Sequence, residues 1–138
     1  MTGVAPKGIP TTVLVAPDSF KGTLSAADVA AAIGRGIEAA GRPVDLCPVA
    51  DGGEGTLAVL GSALDVELHA IEVSDPLGRP VRADFALARP QRETVAVVET
   101  AAASGLGLVE AAQRDAWAAS TAGTGELIAA ALAAGARR

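Results

Sequence analysis

The stretch Val49-Ala50-Asp51-Gly52-Gly53-Glu54-Gly55-Thr56 decides how this chain is organised. A short apolar run, Val44 to Val49, precedes it, and an amphipathic segment, Thr56 to Leu64, follows it. The stretch therefore predicts a loop between a strand and a helix at the edge of a sheet. Its three glycines permit positive φ and let a ligand approach the main chain, which a simple connection does not need.

Two acidic residues, Asp51 and Glu54, stand among these glycines. One interpretation is structural, because carboxylates at a helix N-terminus are stabilised by the helix dipole and the free N–H groups. The other is functional, because the same carboxylates suit a divalent metal or the acceptance of a proton from a substrate hydroxyl. The loop alone leaves both open.

The residues before this loop predict a strand, a helix and a second strand. Thr11 to Ala16 is β-branched and continuously apolar, which is typical of a strand buried on both faces of a parallel sheet. Ser25 starts a helix that runs to about Ala40. Its predicted buried stripe is Val29, Ile33 and Ile37. The second strand, Val44 to Val49, completes a right-handed βαβ unit whose loops follow the carboxyl ends of neighbouring strands, where open α/β sheets bind ligands.

After Asp65 the pattern indicates antiparallel strands. Val66 to Val73 and Val81 to Leu87 are strand-like, and the link between them has turn composition. The apolar residues of the first strand change parity, which predicts a bulge near Ala70. A further strand is expected at Thr94 to Glu99.

Small residues dominate two later segments. Thr100 to Leu106 either allows close packing or turns Ser hydroxyls and N–H groups towards a ligand. Ala119 to Glu126 predicts a second glycine loop, opening a last helix from Leu127 to about Ala134. Two glycine loops at helix N-termini favour an anion, a phosphate or a carboxylate, as ligand.

Composition excludes several classes of partner. The 138 residues carry a net charge of −5, which argues against nucleic acid or an anionic membrane as the main partner. Residues 1 to 10 lack a signal-peptide core and are expected to form a flexible leader, and no apolar run is long enough to span a bilayer. Cys47 is the single cysteine, predicted to be a small buried hydrophobe. These features predict a cytoplasmic protein.

Motifs narrow the chemistry. No GxxxxGK[ST] occurs, and one His and one Cys cannot build a Ser-His-Asp or Cys-His nucleophile set. Gly53-x-Gly55-x-x-Ala58 fits the spacing of a dinucleotide-binding loop, but Asp51 and Glu54 would repel a pyrophosphate. The remaining polar residues suit phosphoryl transfer onto a small anionic alcohol. They are Asp18, Ser19, Lys21, Asp51, Glu54, Ser104, Thr121 and Thr124.

Five motifs taken together resemble the type I glycerate kinase family. They are Ala16-Pro17-Asp18-Ser19-Phe20-Lys21-Gly22, Pro48 to Thr56, Asp75-Pro76-Leu77-Gly78, Ala101-Ala102-Ala103-Ser104-Gly105-Leu106 and Gly123-Thr124-Gly125-Glu126-Leu127-Ile128. The resemblance implies phosphorylation of D-glycerate by ATP with Mg²⁺, giving 2-phosphoglycerate in most members of this type. It also implies a Rossmann-like α/β domain interrupted by a smaller, partly antiparallel second domain, with the active site in the cleft between them.

Carried over by position, the resemblance assigns site residues. Lys21 is expected to contact an anion, and Asp51 to act as base or, with Glu54, as metal ligand. Substrate-binding positions are Asp18, Ser19, Lys21, Gly52, Gly53, Glu54, Gly55, Thr56, Ser104, Gly105, Thr121, Gly123, Thr124 and Gly125.

The chain departs from the family in two respects. Ala122 stands where an aromatic residue is usual, and family members are more than twice as long, so the chain resembles an amino-terminal portion. The expected organisation is a leader (1–10), the first part of a Rossmann-like domain (11–64), part of an inserted domain (65–118) and a glycine loop with a terminal helix (119–138). A truncated sheet with an open edge predicts a fragment that folds or acts poorly alone. The alternatives are a non-catalytic remnant, half of a split enzyme that needs a carboxyl-terminal partner, and a dinucleotide-binding module.

Overall fold

The computed structural model describes residues 11–90 and 93–138, so the predicted leader lies outside the described residues. The chain divides into two compact units, Met1–Ala50 and Asp51–Arg138. The four predicted domain segments remain a prediction. Among the described residues, no helix combines the length and the apolar character needed to cross a bilayer.

The first unit is a βαβ arrangement. Strand β1 (Val13–Val15) pairs in parallel with β2 (Val44–Leu46), and helix α1 (Ala26–Ala39) connects them. Ser25 caps α1, because its hydroxyl accepts a hydrogen bond from the Asp28 N–H at 3.2 Å. The sequence prediction of a parallel start is confirmed, although both strands are shorter than expected.

The predicted burial of this unit is wrong at three places. Leu14, which pairs with Asp45, is 63% exposed, while Val15 on the opposite face is buried. On α1 the buried face is displaced from the predicted stripe, so that Ile33 is exposed. Its buried residues are Ala26, Val29, Ala30 and Gly34. Cys47 is exposed.

A small residue explains the displaced helix face. A Cβ atom on Gly34 would lie 2.9 Å from the Leu46 side chain, so α1 approaches β2 where the helix has no side chain. A periodicity built from large apolar residues cannot detect such a contact.

The second unit begins with α2 (Thr56–Ala63) and continues into an antiparallel sheet in the order β3 (Val66–Ser74), β4 (Pro80–Ala88), β5 (Val95–Val98). Helices α3 (Thr100–Ser104) and α4 (Ala122–Ala133) follow, with two short 3-10 turns between them at Leu106–Leu108 and Ala111–Gln113. The mixed α/β class with an antiparallel second part is confirmed.

The predicted bulge near Ala70 is wrong. The register runs without interruption from Val66 opposite Ala88 to Ser74 opposite Pro80. The change of parity has another cause, because β3 carries apolar residues on both faces of the sheet. Val66 and Leu68 line a pocket beside α2, whereas Ile71 and Val73 belong to the core under α4.

The core of this unit lies between the sheet and α4. Phe85 and Leu127 are its largest fully buried side chains. His69 stacks on Phe85 with ring centroids 5.0 Å apart. Its Nε2 lies 3.2 Å from Glu67 Oε1, but not in hydrogen-bonding geometry. The cluster contains Val73, Ala83, Phe85, Leu87, Ala103, Leu127, Ala131 and Ala136.

We expect Leu127→Ala to lower the free energy of unfolding by about 2 to 5 kcal/mol, because it leaves a cavity where no side-chain surface is exposed. The matched control is Leu132→Ala on the same helix, since Leu132 is 58% exposed. Its expected effect is within about 0.5 kcal/mol. Urea unfolding followed by far-UV circular dichroism measures both, and equal losses in the two variants would contradict the packing described.

Candidate functional site

The glycine loop is held by its own side chains. Gly52 and Gly55 have φ of 95° and 91°, which favours glycine at both positions. Asp51 Oδ1 accepts a hydrogen bond from the Gly53 N–H at 2.9 Å, and Thr56 Oγ1 donates to the Gly53 carbonyl at 2.8 Å. Both backbone polar groups of Gly53 are therefore fixed by residues of the predicted site.

The N-terminus of α2 receives a carboxylate that the sequence did not predict. Gly55 at the N-cap has no side chain to cap the helix, and the Leu57 N–H donates to Glu99 Oε1 at 2.6 Å. Asp51 bonds within its own loop instead. The available signal for Glu99 was an acid at the end of an apolar strand, where the chain turns towards the next motif.

Two of the sequence motifs meet in the second unit, and one of them also contacts Ser74, the residue just before a third. The Ser104 and Thr124 hydroxyl oxygens lie 2.7 Å apart, which joins the Ala-Ser-Gly segment to the Gly-Thr-Gly segment. Glu126 accepts hydrogen bonds from the Ser74 N–H at 2.7 Å and from the Ser74 hydroxyl at 3.0 Å. The structure therefore brings Ser104 and Thr124 together, and their binding of substrate stays a prediction.

The predicted second glycine loop is wrong as a structure. Residues 122–126 form the first turns of α4, and Thr121 is the N-cap. Gly123 is buried, and a Cβ atom on it would overlap the Ser74 carbonyl oxygen. Gly123 therefore serves close packing, whereas Gly125 is exposed and has open space around its Cα. Whether these positions bind substrate stays a prediction.

The turn between β3 and β4 is built on a buried acid. Asp75 Oδ1 accepts from the Leu77 and Arg79 N–H groups, both at 2.8 Å, and Oδ2 accepts from Arg79 Nε at 2.6 Å. Burial by itself raises the pKa of Asp75, but the Arg79 and Leu77 donors and the Arg79 charge outweigh it, so the pKa lies below its ordinary value of 3.8. Arg79 also donates to the Leu108 carbonyl at 3.1 Å, which ties the turn to the segment after α3.

A pocket of about 340 Å³ opens beside this turn. Ser104 and Arg114 supply polar groups, and Leu106 and Val109 supply apolar wall. Trp117, close by in sequence, is 99% exposed and is not the packing anchor that its size suggests. Ser104 is the predicted site residue that lines this pocket.

Asp18, Ser19 and Lys21 belong to the first unit. The Ser19 N–H donates to Asp18 Oδ1 at 2.6 Å, and Lys21 lies in a tight turn closed by the pairing of Phe20 with Leu24. Further along, the Val49 N–H donates to the Pro17 carbonyl at 3.0 Å. The segments that leave β1 and β2 therefore run side by side at the start of the two predicted site loops.

The donor chemistry of the glycine loop fits magnesium. Asp51 and Glu54 offer carboxylate oxygens, and Mg²⁺ in kinases is held by one or two carboxylates together with substrate phosphates and water. Across residues 11–90 and 93–138, no group of three His, Cys, Asp or Glu side chains is placed to hold a metal by itself. A site here would therefore need further oxygen ligands, from bound substrate or water, besides those of Asp51 and Glu54.

We expect Gly123→Ala to lower the free energy of unfolding by about 1 to 3 kcal/mol, because the added Cβ overlaps a backbone oxygen. Gly125→Ala, two residues on in the same helix, is the matched control. It is expected to stabilise the chain by up to about 1 kcal/mol, since alanine is the better helix former. Urea unfolding of both variants tests the contact, and an unchanged Gly123→Ala protein would contradict it.

We expect Asp75→Asn to lower the urea midpoint of unfolding at neutral pH. Because the pKa of Asp75 is lower folded than unfolded, its carboxylate adds stability above pH 3.8, and this stability is lost as the pH falls through the folded value. The variant should therefore lose less stability than the parent below pH 3.8. Asp65→Asn, at an exposed position, is the control. Parallel pH profiles of the parent and Asp75→Asn would refute this role.

Similar proteins are named glycerate kinases. The chain is 48% identical over 128 residues to glycerate kinase of Bacillus subtilis, covering 91% of this chain and 33% of the relative. It is 43% identical over 127 residues to glycerate 2-kinase of Escherichia coli, covering 90% and 32%. The chain therefore spans about a third of the length of the curated relatives it matches.

A solved structure and a family profile agree with these relatives. A crystal structure from Salmonella typhimurium LT2, provisionally described as glycerate kinase 2, superposes with a TM-score of 0.74 at 41% identity, covering 93% of this chain and 34% of that one. The sequence profile of the glycerate kinase family matches residues 13–138. The chain belongs to the glycerate kinase family.

Proposed function

We propose that this chain contributes part of the site of a glycerate kinase, which phosphorylates D-glycerate with ATP. The observation that carries the proposal is the family match over residues 13–138, which includes all five motifs. Position 2 is the proposed hydroxyl, in keeping with the name of the Escherichia coli relative. Because the chain spans a third of its relatives, catalysis is proposed for the assembled protein.

Asp51 has the central role in this proposal. In the reaction, the substrate oxygen forms a bond to the γ-phosphorus, the bond from that phosphorus to the ADP oxygen breaks, and the hydroxyl proton leaves. Asp51 either accepts this proton or holds the metal. Its hydrogen bond from the Gly53 N–H supports both roles, because it fixes the direction of the carboxylate.

The proposed cofactor is Mg²⁺, held by Asp51 and Glu54. When bound with ATP, the ion would neutralise negative charge on the phosphates. Lys21 is the proposed contact to a substrate anion, because its ammonium group is a strong phosphate or carboxylate partner. The proposed partners are thus glycerate, ATP and the remaining part of a glycerate kinase chain. A cytoplasmic location stays a prediction from composition.

The position of Glu99 argues against the dinucleotide-binding alternative. In such modules the pyrophosphate takes the N-terminus of the helix that follows the glycine loop. Here the Leu57 N–H of that turn donates to the Glu99 carboxylate. A pyrophosphate at this place would meet Glu99 as well as Asp51 and Glu54.

A coupled ADP-release assay tests the proposed function. The chain is assayed with D-glycerate and Mg-ATP, alone and mixed with the carboxyl-terminal two-thirds of the Bacillus subtilis relative. Glycerate-dependent ADP release by the mixture is expected. NAD in place of Mg-ATP is the control for the dinucleotide alternative, and a folded mixture without turnover would favour the non-catalytic remnant.

In the same assay we expect Asp51→Asn to lower turnover by about 10² to 10⁴, because the amide neither accepts the proton nor binds magnesium as a carboxylate does. Asp65→Asn is the control, since Asp65 lies outside the glycine loop and is exposed. Unchanged turnover of Asp51→Asn would remove Asp51 from both of its proposed roles.

A further inference from the structure

We propose that Glu99 is a positioning residue that fixes the first turn of α2 and, through it, the glycine loop 51–55. Its carboxylate acts as a built-in anion at the helix N-terminus. The consequence for catalysis rests on the proposed function, whereas the positioning itself is a property of the fold. Glu99 contacts neither reacting group in this proposal.

Helix α2 is poorly anchored by its own residues. It has eight residues, none of them buried, and its N-cap residue, Gly55, has no side chain to cap the N-terminus. It also contains Gly61, which weakens a helix. Isolated helices of this length are unstable in water, so contacts from elsewhere must hold it in place.

Glu99 supplies such a contact from the sheet. It directly follows β5, which pairs with β4 through Phe85 opposite Val98, and it is the N-cap residue of α3. Its Oε1 accepts from the Leu57 N–H at 2.6 Å. A hydrogen bond between a charged acceptor and a helix N-terminal N–H is stronger than one between neutral groups.

Two short hydrogen bonds connect the first turn of α2 to the glycine loop. Leu57 follows Thr56, whose hydroxyl donates to the Gly53 carbonyl at 2.8 Å. The Gly53 N–H in turn donates to Asp51 Oδ1 at 2.9 Å. A displacement of the first turn of α2 would therefore displace Gly53 and turn the Asp51 carboxylate.

Solvent species can reach this contact. A pocket of about 560 Å³ is lined by Leu57, Leu68, Asp84 and Glu99, among others. A small carboxylate could therefore enter and replace the Glu99 carboxylate if that side chain were removed. Acetate should then restore the hydrogen bond, whereas it would have no effect if Glu99 acted only through the packing of its side chain.

The test measures amide hydrogen exchange by NMR in the ¹⁵N-labelled chain. We expect Glu99→Ala to speed exchange of the Leu57 amide by at least about tenfold, because a charge-assisted hydrogen bond is lost. Glu99→Gln keeps an acceptor of the same length and should retain most of the protection. Glu110→Ala, at an exposed position outside these elements, is the control and should leave Leu57 exchange unchanged.

Rescue separates the carboxylate from the packing of its methylene groups. Sodium acetate should restore Leu57 protection in Glu99→Ala, whereas sodium chloride at equal ionic strength should not. Unchanged exchange in Glu99→Ala would overturn the proposal, and so would a loss that acetate does not reduce. If Glu99→Ala does not fold, Glu99→Lys takes its place. Leu57 exchange as slow as in Glu99→Gln would then refute the role of the acceptor.

The proposed function is read separately in the same samples. Mg-ATP and D-glycerate are added to the labelled parent chain mixed with the carboxyl-terminal two-thirds of the Bacillus subtilis relative, and shifts of the Gly52, Gly53 and Gly55 amide resonances report contact with the loop. Absent shifts together with a fast-exchanging Leu57 in Glu99→Ala would count against the kinase role alone. Shifts in the parent that weaken in Glu99→Ala and recover in Glu99→Gln would support both.

Discussion

The second unit depends on the approach of α4 to the end of β3, where Gly123 lies against the Ser74 carbonyl. No other amino acid leaves room for that oxygen. Once the helix is this close, its next residues reach partners on other segments. Thr124 meets the Ser104 hydroxyl, and Glu126 takes the Ser74 N–H and hydroxyl. One contact without a side chain thus joins three segments that lie far apart in the sequence.

Carboxylates hold backbone N–H groups at three junctions of this unit. Asp75 organises the turn between β3 and β4, Glu126 ties α4 to β3, and Glu99 receives the first turn of α2. Each of these hydrogen bonds satisfies a donor that secondary structure leaves unpaired at an element's end. The chain's acidic composition thus has a structural use, and its net charge alone does not indicate a ligand.

The sequence predicted the helices and strands better than it predicted which of their residues are buried. Periodicity located α1 and the antiparallel strands from their patterns of apolar residues. It predicted Leu14 to be buried, but burial on two faces requires a second covering layer. It predicted a bulge at Ala70 because it assumed that the apolar residues of a strand lie on one face. Gly123 was placed in a loop because glycine signals freedom as readily as close packing. Glu99 was missed because its partner, the Leu57 N–H, is 42 residues away.

The Glu99 carboxylate at the first turn of α2 changes which ligands the glycine loop can bind. A free N-terminus attracts phosphate, but the first turn of α2 already donates to a carboxylate. Additional negative charge there would meet Glu99 and Asp51 at close range and would be opposed. Within the proposed reaction, the glycine loop therefore serves the hydroxyl and the metal, whose charges are neutral or positive. The proposed contact to a substrate anion is therefore a cationic side chain, and Lys21 is the cationic residue in the motifs.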